Sequence, residues 1–461
     1  MLDSAAGPRE QTRPARRPHP AVVLLVLAWG SVVLPRLVQS LTVDKRRTTV
    51  NDPLPYSVSG LLTDRLMQLV LVVACVVVVA LSLRSLPVSR RRALVLLLAP
   101  WFYLVIRDLY EGQALARTSQ LLFPAVVVAL WVARAELQHL RVLGHLHGVL
   151  VVLSLALGTF LPEKGIYQAA GGGALAPAKE ILPVGILIGP FTDGNNLAQV
   201  LLLGLPAVAF LPRPGVRRLI VLLTVVALVW TSARSALVGL VVAGAVLVAL
   251  RLVRPAGRGP LSVAVLASGC LTVVALPLLT TSPTAFTNRG FIWQESLRAW
   301  SESPLFGLGS GFYSAVAQIA NPLGGFAFHG HNQAVQVLVT MGLLGAGLVG
   351  ALYLLLVRRA AGWARRGVSQ PTVFLSALLV SGSQEVSFGF VDRNFLLAAA
   401  ILPVAVLALS TPTPPGVVLH GGEDADASTD EAADEEVEAR VQPERERRHA
   451  GASDGHHPDR P

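Results

Sequence analysis

The chain has 461 residues, of which 53% are apolar and 14% charged, with a mean hydropathy of +0.59. Soluble domains carry about 25% charged residues and roughly 45–50% apolar residues even with glycine counted, and here 41 glycines come on top of the 53%. The composition excludes a soluble enzyme, a disordered chain and collagen, and two cysteines exclude a disulfide scaffold. The net charge of +10 hides a split: residues 411–461 hold 5 Arg against 13 acids, whereas the preceding 410 residues hold 33 Lys or Arg against 15 acids. The arginines form short clusters between apolar runs, which is the pattern of membrane loops and not of a nucleic-acid surface.

Residues 1–20 read as a basic cytoplasmic N-terminus. Apolar runs follow at about 21–38, 66–83, 93–106, 119–133, 148–161, 195–211, 217–232, 235–250, 261–280, 332–357, 371–388 and 395–409. They are continuous and do not alternate, so the expected fold class is all-α: a polytopic transmembrane helix bundle of about 12 spans over residues 21–409. A shorter run at 181–189 reads as a re-entrant or interfacial piece. Cys75 and Cys270 each sit inside an apolar run and read as small core residues. The first run, with Val38-Gln39-Ser40 near its end, also fits a cleavable signal peptide; retaining it keeps an even number of spans.

With a cytoplasmic N-terminus, the inner segments hold 20 Arg against three acids, and the outer segments hold 13 Lys or Arg against 12 acids. This bias predicts both termini inside. The tail at 410–461 is acidic and lacks aromatic residues, so it reads as disordered and cytoplasmic.

That orientation gathers the unusual polar residues on the outer side. Asp193 and Asn195 open the sixth span. Arg234 lies in the turn between spans seven and eight. The long extracytoplasmic loop between spans 9 and 10, about 281–331, holds Arg289 and the pair His329 and His331, with Asn332 next. Trp293, Leu297 and Trp300 in that loop share one helical face, expected to rest on the bilayer. Glu385 lies in span eleven, with Asp392 and Arg393 in the turn after it, and an ion pair between Glu385 and Arg393 is one reading. Charges near hydrocarbon are functional or paired. Arginine holds phosphate oxygens in two-point contacts, and histidine accepts a hydroxyl proton near neutrality. The set suits glycosyl transfer from a lipid-diphosphate sugar without a metal. A lipid-linked glycan flippase is the alternative, although a flippase should line a path through the bilayer with charge.

Four blocks carry a resemblance: GNNLA with Asn195, TSARSALVG with Arg234, NRGFIWQESLRAWSESPLFGLGSGFY with Arg289, and HGHNQAVQVLVTMGLLGAGL with His331. In this order they resemble the O-antigen ligase and O-antigen polymerase superfamily of bacterial membrane glycosyltransferases. The resemblance implies an enzyme of the cytoplasmic membrane that takes glycan from undecaprenyl diphosphate and passes it to a glycan, lipid or cell-wall acceptor, with no cofactor. It implies that Arg234 and Arg289 bind the diphosphate. It also implies that His331 acts as the base or positions the acceptor. Asp193, Asn195, Asn332, Glu385 and Arg393 are expected around the substrate. Two positions depart from the family pattern: Thr340 stands where a Glu is common, and Asn288 where Ser is preferred. The sequence does not separate ligase from polymerase.

Overall fold

The structure, a computed structural model, describes residues 18–47, 55–82, 87, 90–112, 118–169, 179–316, 323, 329–390 and 394–412. The basic N-terminal stretch, Asp392, Arg393 and the acidic tail lie outside the described residues.

Each of the twelve longer apolar runs folds mainly as helix. The elements are α1 (Pro20–Thr42), α2 (Val58–Ser82), α3 (Arg91–Tyr110), α4 (Thr118–Val132), α5 (Arg141–Phe160), the single turn α6 (Pro162–Gly165), α7 (Gly194–Val208), α8 (Pro214–Trp230), α9 (Arg234–Leu252), α10 (Pro255–Leu279), α11 (Ala285–Trp300), α12 (Phe312–Val316), α13 (Gln333–Arg365), α14 (Gln370–Gln384) and α15 (Leu402–Leu409). Among the described residues, seven helical segments are long and apolar enough to cross a membrane: α1, α2, α3, Leu137–Phe160, α9, α10 and α13. The protein is thus a multi-pass all-α membrane bundle. The remaining runs form shorter helices. Proline at the first position starts α8 and α10, where its missing N–H costs no hydrogen bond. Asx caps start α7 and α13.

Burial sorts the helices. Most of α2 faces outward, whereas every residue from Leu396 to Ser410 is buried. This last segment passes through a π-helical turn at Leu397–Ile401 into α15 and is rich in alanine. Small side chains let neighbouring backbones approach where hydrophobic transfer gives no drive between helices. Around it α1 packs on α2 and α5, α10 on α13 and α14, and α14 on α9.

The 181–189 run is not helical. Ile186 and Leu187 pair antiparallel with Tyr167 and Ile166, and Leu187 and Ile188 are fully buried. Lys45 is also buried, and its ammonium donates to the carbonyls of Gly189 and Phe191 at 2.7 Å each. Burial, with Arg47 and Lys164 nearby, pushes this lysine down to about 7. The lysine thereby pins the segment that leads into Asp193.

Helix α13 is not continuous. Gly342 takes φ 61° and ψ −167°, which breaks the helical ladder. The Ser-Pro-Leu-Phe-Gly-Leu-Gly segment fills the break with its own backbone. Leu308 and Gly309 donate N–H groups to the carbonyls of Val339 and Thr340 at 2.7 and 3.1 Å, and Leu343 and Leu344 donate to the carbonyls of Pro304 and Leu305 at 2.9 and 3.1 Å. Irregular backbone survives in a membrane protein only where protein satisfies it. From α3, Arg107 donates to Gly307 O at 2.7 and 3.1 Å, while Asp108 accepts from the Ser310 N–H at 2.8 Å and its hydroxyl at 2.5 Å. The splice thus fixes the half-helix 333–341 in place, and that half-helix begins at the residues expected to do chemistry.

Candidate active site

Three polar groups converge on Glu385, which follows the end of α14 and is 5% exposed. Arg289 Nη2 donates to Glu385 Oε1 at 2.5 Å, and Arg289 Nη1 donates to Gln384 Oε1 at 3.4 Å. His331 Nδ1 lies 3.3 Å from Glu385 Oε2 and His329 Nε2 lies 3.7 Å from it. Burial alone would raise the Glu385 carboxyl, but the His331 contact and the charges of Arg289, His331 and His329 hold it below the usual carboxylate range. Glu385 is therefore a fixed negative charge.

His331 is held at its backbone. Its N–H donates to His329 Nδ1 at 3.1 Å and its carbonyl accepts from Trp293 Nε1 at 3.3 Å. Because His329 Nδ1 accepts, a neutral His329 carries its proton on Nε2, towards Glu385. His331 has φ 45°, a left-handed value that a non-glycine residue holds only under constraint. Its Nδ1 is buried against Glu385 without the alignment of a full hydrogen bond. His331 also lines the neighbouring cavity.

Arg289 also sits on a constrained backbone. Phe286, Thr287 and Asn288 all have positive φ, so the chain doubles back just before it. At Gly290 a Cβ would fall 2.1 Å from Ser282 O, so the Asn-Arg-Gly sequence needs its glycine. Asn288 occupies one of these left-handed positions, which asparagine tolerates well.

A cavity of about 580 Å³ opens beside these residues, lined by Arg234, Arg289, Lys179, Asn195, Ser235 and His331 among others. Arg234 reaches it from the first turn of α9 and Asn195 from the first turn of α7. Asp193 caps α7 by accepting the Asn195 N–H at 2.7 Å. Burial raises its carboxyl against that hydrogen bond, and the charge of Glu385 pushes in the same direction.

The structure thus brings Arg234, Arg289, His331 and Asn195 to one cavity, with Glu385 behind them. It departs from the sequence reading in three places. Glu385 stands just past its helix, with Arg289, His329 and His331 as its partners among the described residues; the expected pairing with Arg393 lies outside the described residues. Asn332 is fully buried and spends its amide on the protein: Oδ1 accepts from Ala334 N and Val335 N, and Nδ2 donates to Val273 O and Ser383 O. Its geometry is that of a positioning residue. Trp293 is fully buried and packs with Ile292, Tyr313, Val335 and Val339, so α11 presents that side to α13 and not to lipid. The i, i+4, i+7 spacing found the helix, but the face is set by the His331 carbonyl that the indole N–H reaches.

Sequence reasoning missed Lys179 and Lys45. The signal was available: both lysines belong to segments assigned to the outer side, and the chain has three lysines in all. Arg107 and Asp108 were missed because a charged pair near a helix end looks like an ordinary interfacial anchor.

Residues 219–350 match the Wzy_C family, O-Antigen ligase. The chain carries an O-antigen ligase domain. The match takes in Arg234, Arg289 and His331, while Asn195 and Glu385 lie on either side of it. It bears out the resemblance carried by the sequence blocks and supports a multi-pass membrane protein of the O-antigen ligase/polymerase type. No curated protein matches the chain.

Proposed function

We propose that this O-antigen ligase-type protein transfers glycan from an undecaprenyl-diphosphate carrier to an acceptor hydroxyl on the outer side of the cytoplasmic membrane. The observation that carries this reading is the convergence of Arg234, Arg289 and Lys179 on the cavity that His331 also lines. Three cations around one cavity suit a diphosphate, whose negative charge grows as the glycosidic C–O bond to phosphate breaks. In the same step the acceptor oxygen forms the new bond to the sugar, and its proton passes to His331 Nε2. Glu385 orients the imidazole through Nδ1 and offsets the charge it gains, as the third member of a catalytic triad does. Because Glu385 also holds Arg289, one carboxylate sets the spacing between the phosphate grip and the base. No metal is needed on this reading.

The test is transfer in proteoliposomes loaded with a lipid-linked oligosaccharide. The expected result is one free undecaprenyl diphosphate per glycosidic bond, with His331→Ala lowering turnover by ~10²–10⁴. Movement of the labelled lipid across the bilayer without cleavage overturns the reading in favour of a flippase. The orientation has its own check. In a cysteine-free background, Ser282→Cys should react with a membrane-impermeant thiol reagent in intact cells and Arg254→Cys should not. The reverse pattern overturns the outer placement.

A further inference from the structure

A second cavity of about 320 Å³ lies at the same end of the bundle, between α1, α2 and the start of α7. Its polar lining includes Arg36, Tyr56, Asp64, Gln68, Thr192 and Asn196. None of these residues belongs to the diphosphate cavity. The two cavities meet at one short segment. Successive residues on a helix point about 100° apart, so in the first turn of α7 Asn195 faces the cavity of Arg234 and His331 while Asn196 faces the second one. Lys45 holds this dividing segment through the Phe191 carbonyl, and Arg47 holds it through Thr192 O at 2.8 Å.

Arg36 and Asp64 make no direct ion pair with each other. Among the described residues, Arg36 makes one side-chain hydrogen bond, to Val32 O at 2.6 Å, and no ion pair; its guanidinium lies 5.7 Å from the centre of the Phe191 ring. Asp64 accepts from Gln68 Nε2 at 2.8 Å. Tyr56 stands at the entrance, 86% exposed. A cation and a carboxylate kept apart across a cavity among amides require a ligand rich in both donors and acceptors. An anion is opposed by Asp64, and an acyl chain offers no hydrogen bond to the remaining donors of Arg36 or the second oxygen of Asp64. A sugar meets every demand: its hydroxyls both donate and accept, and its C–H face stacks on an exposed aromatic ring.

We infer that the cavity between α1, α2 and the start of α7 is a saccharide-binding subsite, separated from the diphosphate site by residues 191–196. The inference rests on the glycosyl-transfer reading for its substrate class. Two sources supply the same chemistry, the acceptor glycan and the donor glycan beyond its first sugar, and kinetics separates them.

The experiment is saturation-transfer NMR on the detergent-purified full chain with a panel of hexoses, 6-deoxyhexoses, N-acetylhexosamines and hexuronic acids, and with inorganic phosphate as the rival probe. The expected result is transfer to at least one sugar, lost in Asp64→Ala and Asn196→Ala and kept in Arg289→Ala. Asp64→Asn serves as a milder variant if Asp64→Ala is not monodisperse. In the proteoliposome assay the same variants should raise KM about tenfold at little cost in kcat. A rise in acceptor KM assigns the subsite to the acceptor, and a rise in donor KM assigns it to the donor chain. Binding of phosphate alone, no sugar signal in the wild type, a signal indifferent to Asp64 and Asn196, or an unchanged KM for both substrates overturns the subsite. If the wild type forms no glycosidic bond but the sugar signal follows these variants, the enzyme reading fails and the subsite stands.

Discussion

His331 turns its Nδ1 to Glu385 Oε2 at 3.3 Å, and the other oxygen of that carboxylate receives Arg289 at 2.5 Å. One buried carboxylate therefore touches both His331, the proposed base, and Arg289, the proposed phosphate ligand. Glu385→Gln removes the charge and keeps the shape, but the amide can accept from only one of the two partners. Turnover is expected to fall by about 10²-fold, the upper end for a group that orients a catalytic residue. KM for the donor should rise as well, because Arg289 loses its anchor. Glu385→Asp should recover part of both. Steady-state kinetics on the three proteins checks this, and wild-type kcat and KM in Glu385→Gln would remove Glu385 from the mechanism.

Gly307 and Gly342 meet where the 303–310 segment enters the break in α13. A Cβ at Gly307 would fall 2.5 Å from Gly342 N, and one at Gly342 would fall 2.4 Å from Leu305 C. Gly342 also has a φ that alanine resists. Either glycine-to-alanine change should open the splice and leave backbone groups unpaired at a cost of about 1–3 kcal/mol each. The expected outcome is a lower melting temperature in detergent and reduced yield. Gly347→Ala is the control, since a Cβ there meets nothing within 4 Å. Equal melting temperatures in all three variants would contradict the splice.

Lys45 gives a pH signature. Its pKa falls from 10.5 to about 7 in the folded protein. Between these values the unfolded chain binds a proton that the folded chain does not, so stability rises with pH, by at most about 1.4 kcal/mol per unit. Below pH 7 the cost of burying the charge is present in full. Melting curves in detergent should show wild type gaining on Lys45→Met from pH 7 to 10. Parallel curves would mean that Lys45 does not titrate in that window.

Metal binding is the rival use of the histidine cluster. Ligand atoms of His329, His331 and Glu385 lie within 4.8 Å of one another, which is close enough to hold an ion. Arg289, however, occupies one Glu385 oxygen, and its cation opposes a second positive charge. Transfer is expected to persist in excess EDTA. Loss on chelation, restored by a divalent ion, would turn these three residues into ligands.

The membrane class and the place of each helix were legible because lipid demands continuous apolar runs and leaves charge only at their ends. The same demand singled out Arg234, Arg289, His331 and Asn195 as candidates, and all four line one cavity. Their mutual geometry was not legible. The tie between Arg289 and Glu385 spans 96 residues, and no local spacing encodes it. The α13 splice is made by backbone hydrogen bonds, which leave no side-chain pattern beyond Gly307, Gly309 and Gly342. Asn332 looked like a ligand because a polar residue beside His331 is conspicuous, but a buried Asx cap in an apolar helix start is equally conspicuous and has its amide fully used.

On the proposed mechanism Arg234 and Arg289 hold the lipid diphosphate. The most direct test is the affinity of the purified full chain for undecaprenyl diphosphate, measured for wild type, Arg234→Ala, Arg289→Ala and Arg289→Lys. Each charge-assisted phosphate contact is worth about 1.5–3 kcal/mol, so either alanine variant should bind roughly 10- to 100-fold more weakly. Arg289→Lys should lie between, because an ammonium cannot reproduce the planar two-point contact. Wild-type affinity in both alanine variants would remove the two arginines from the diphosphate site.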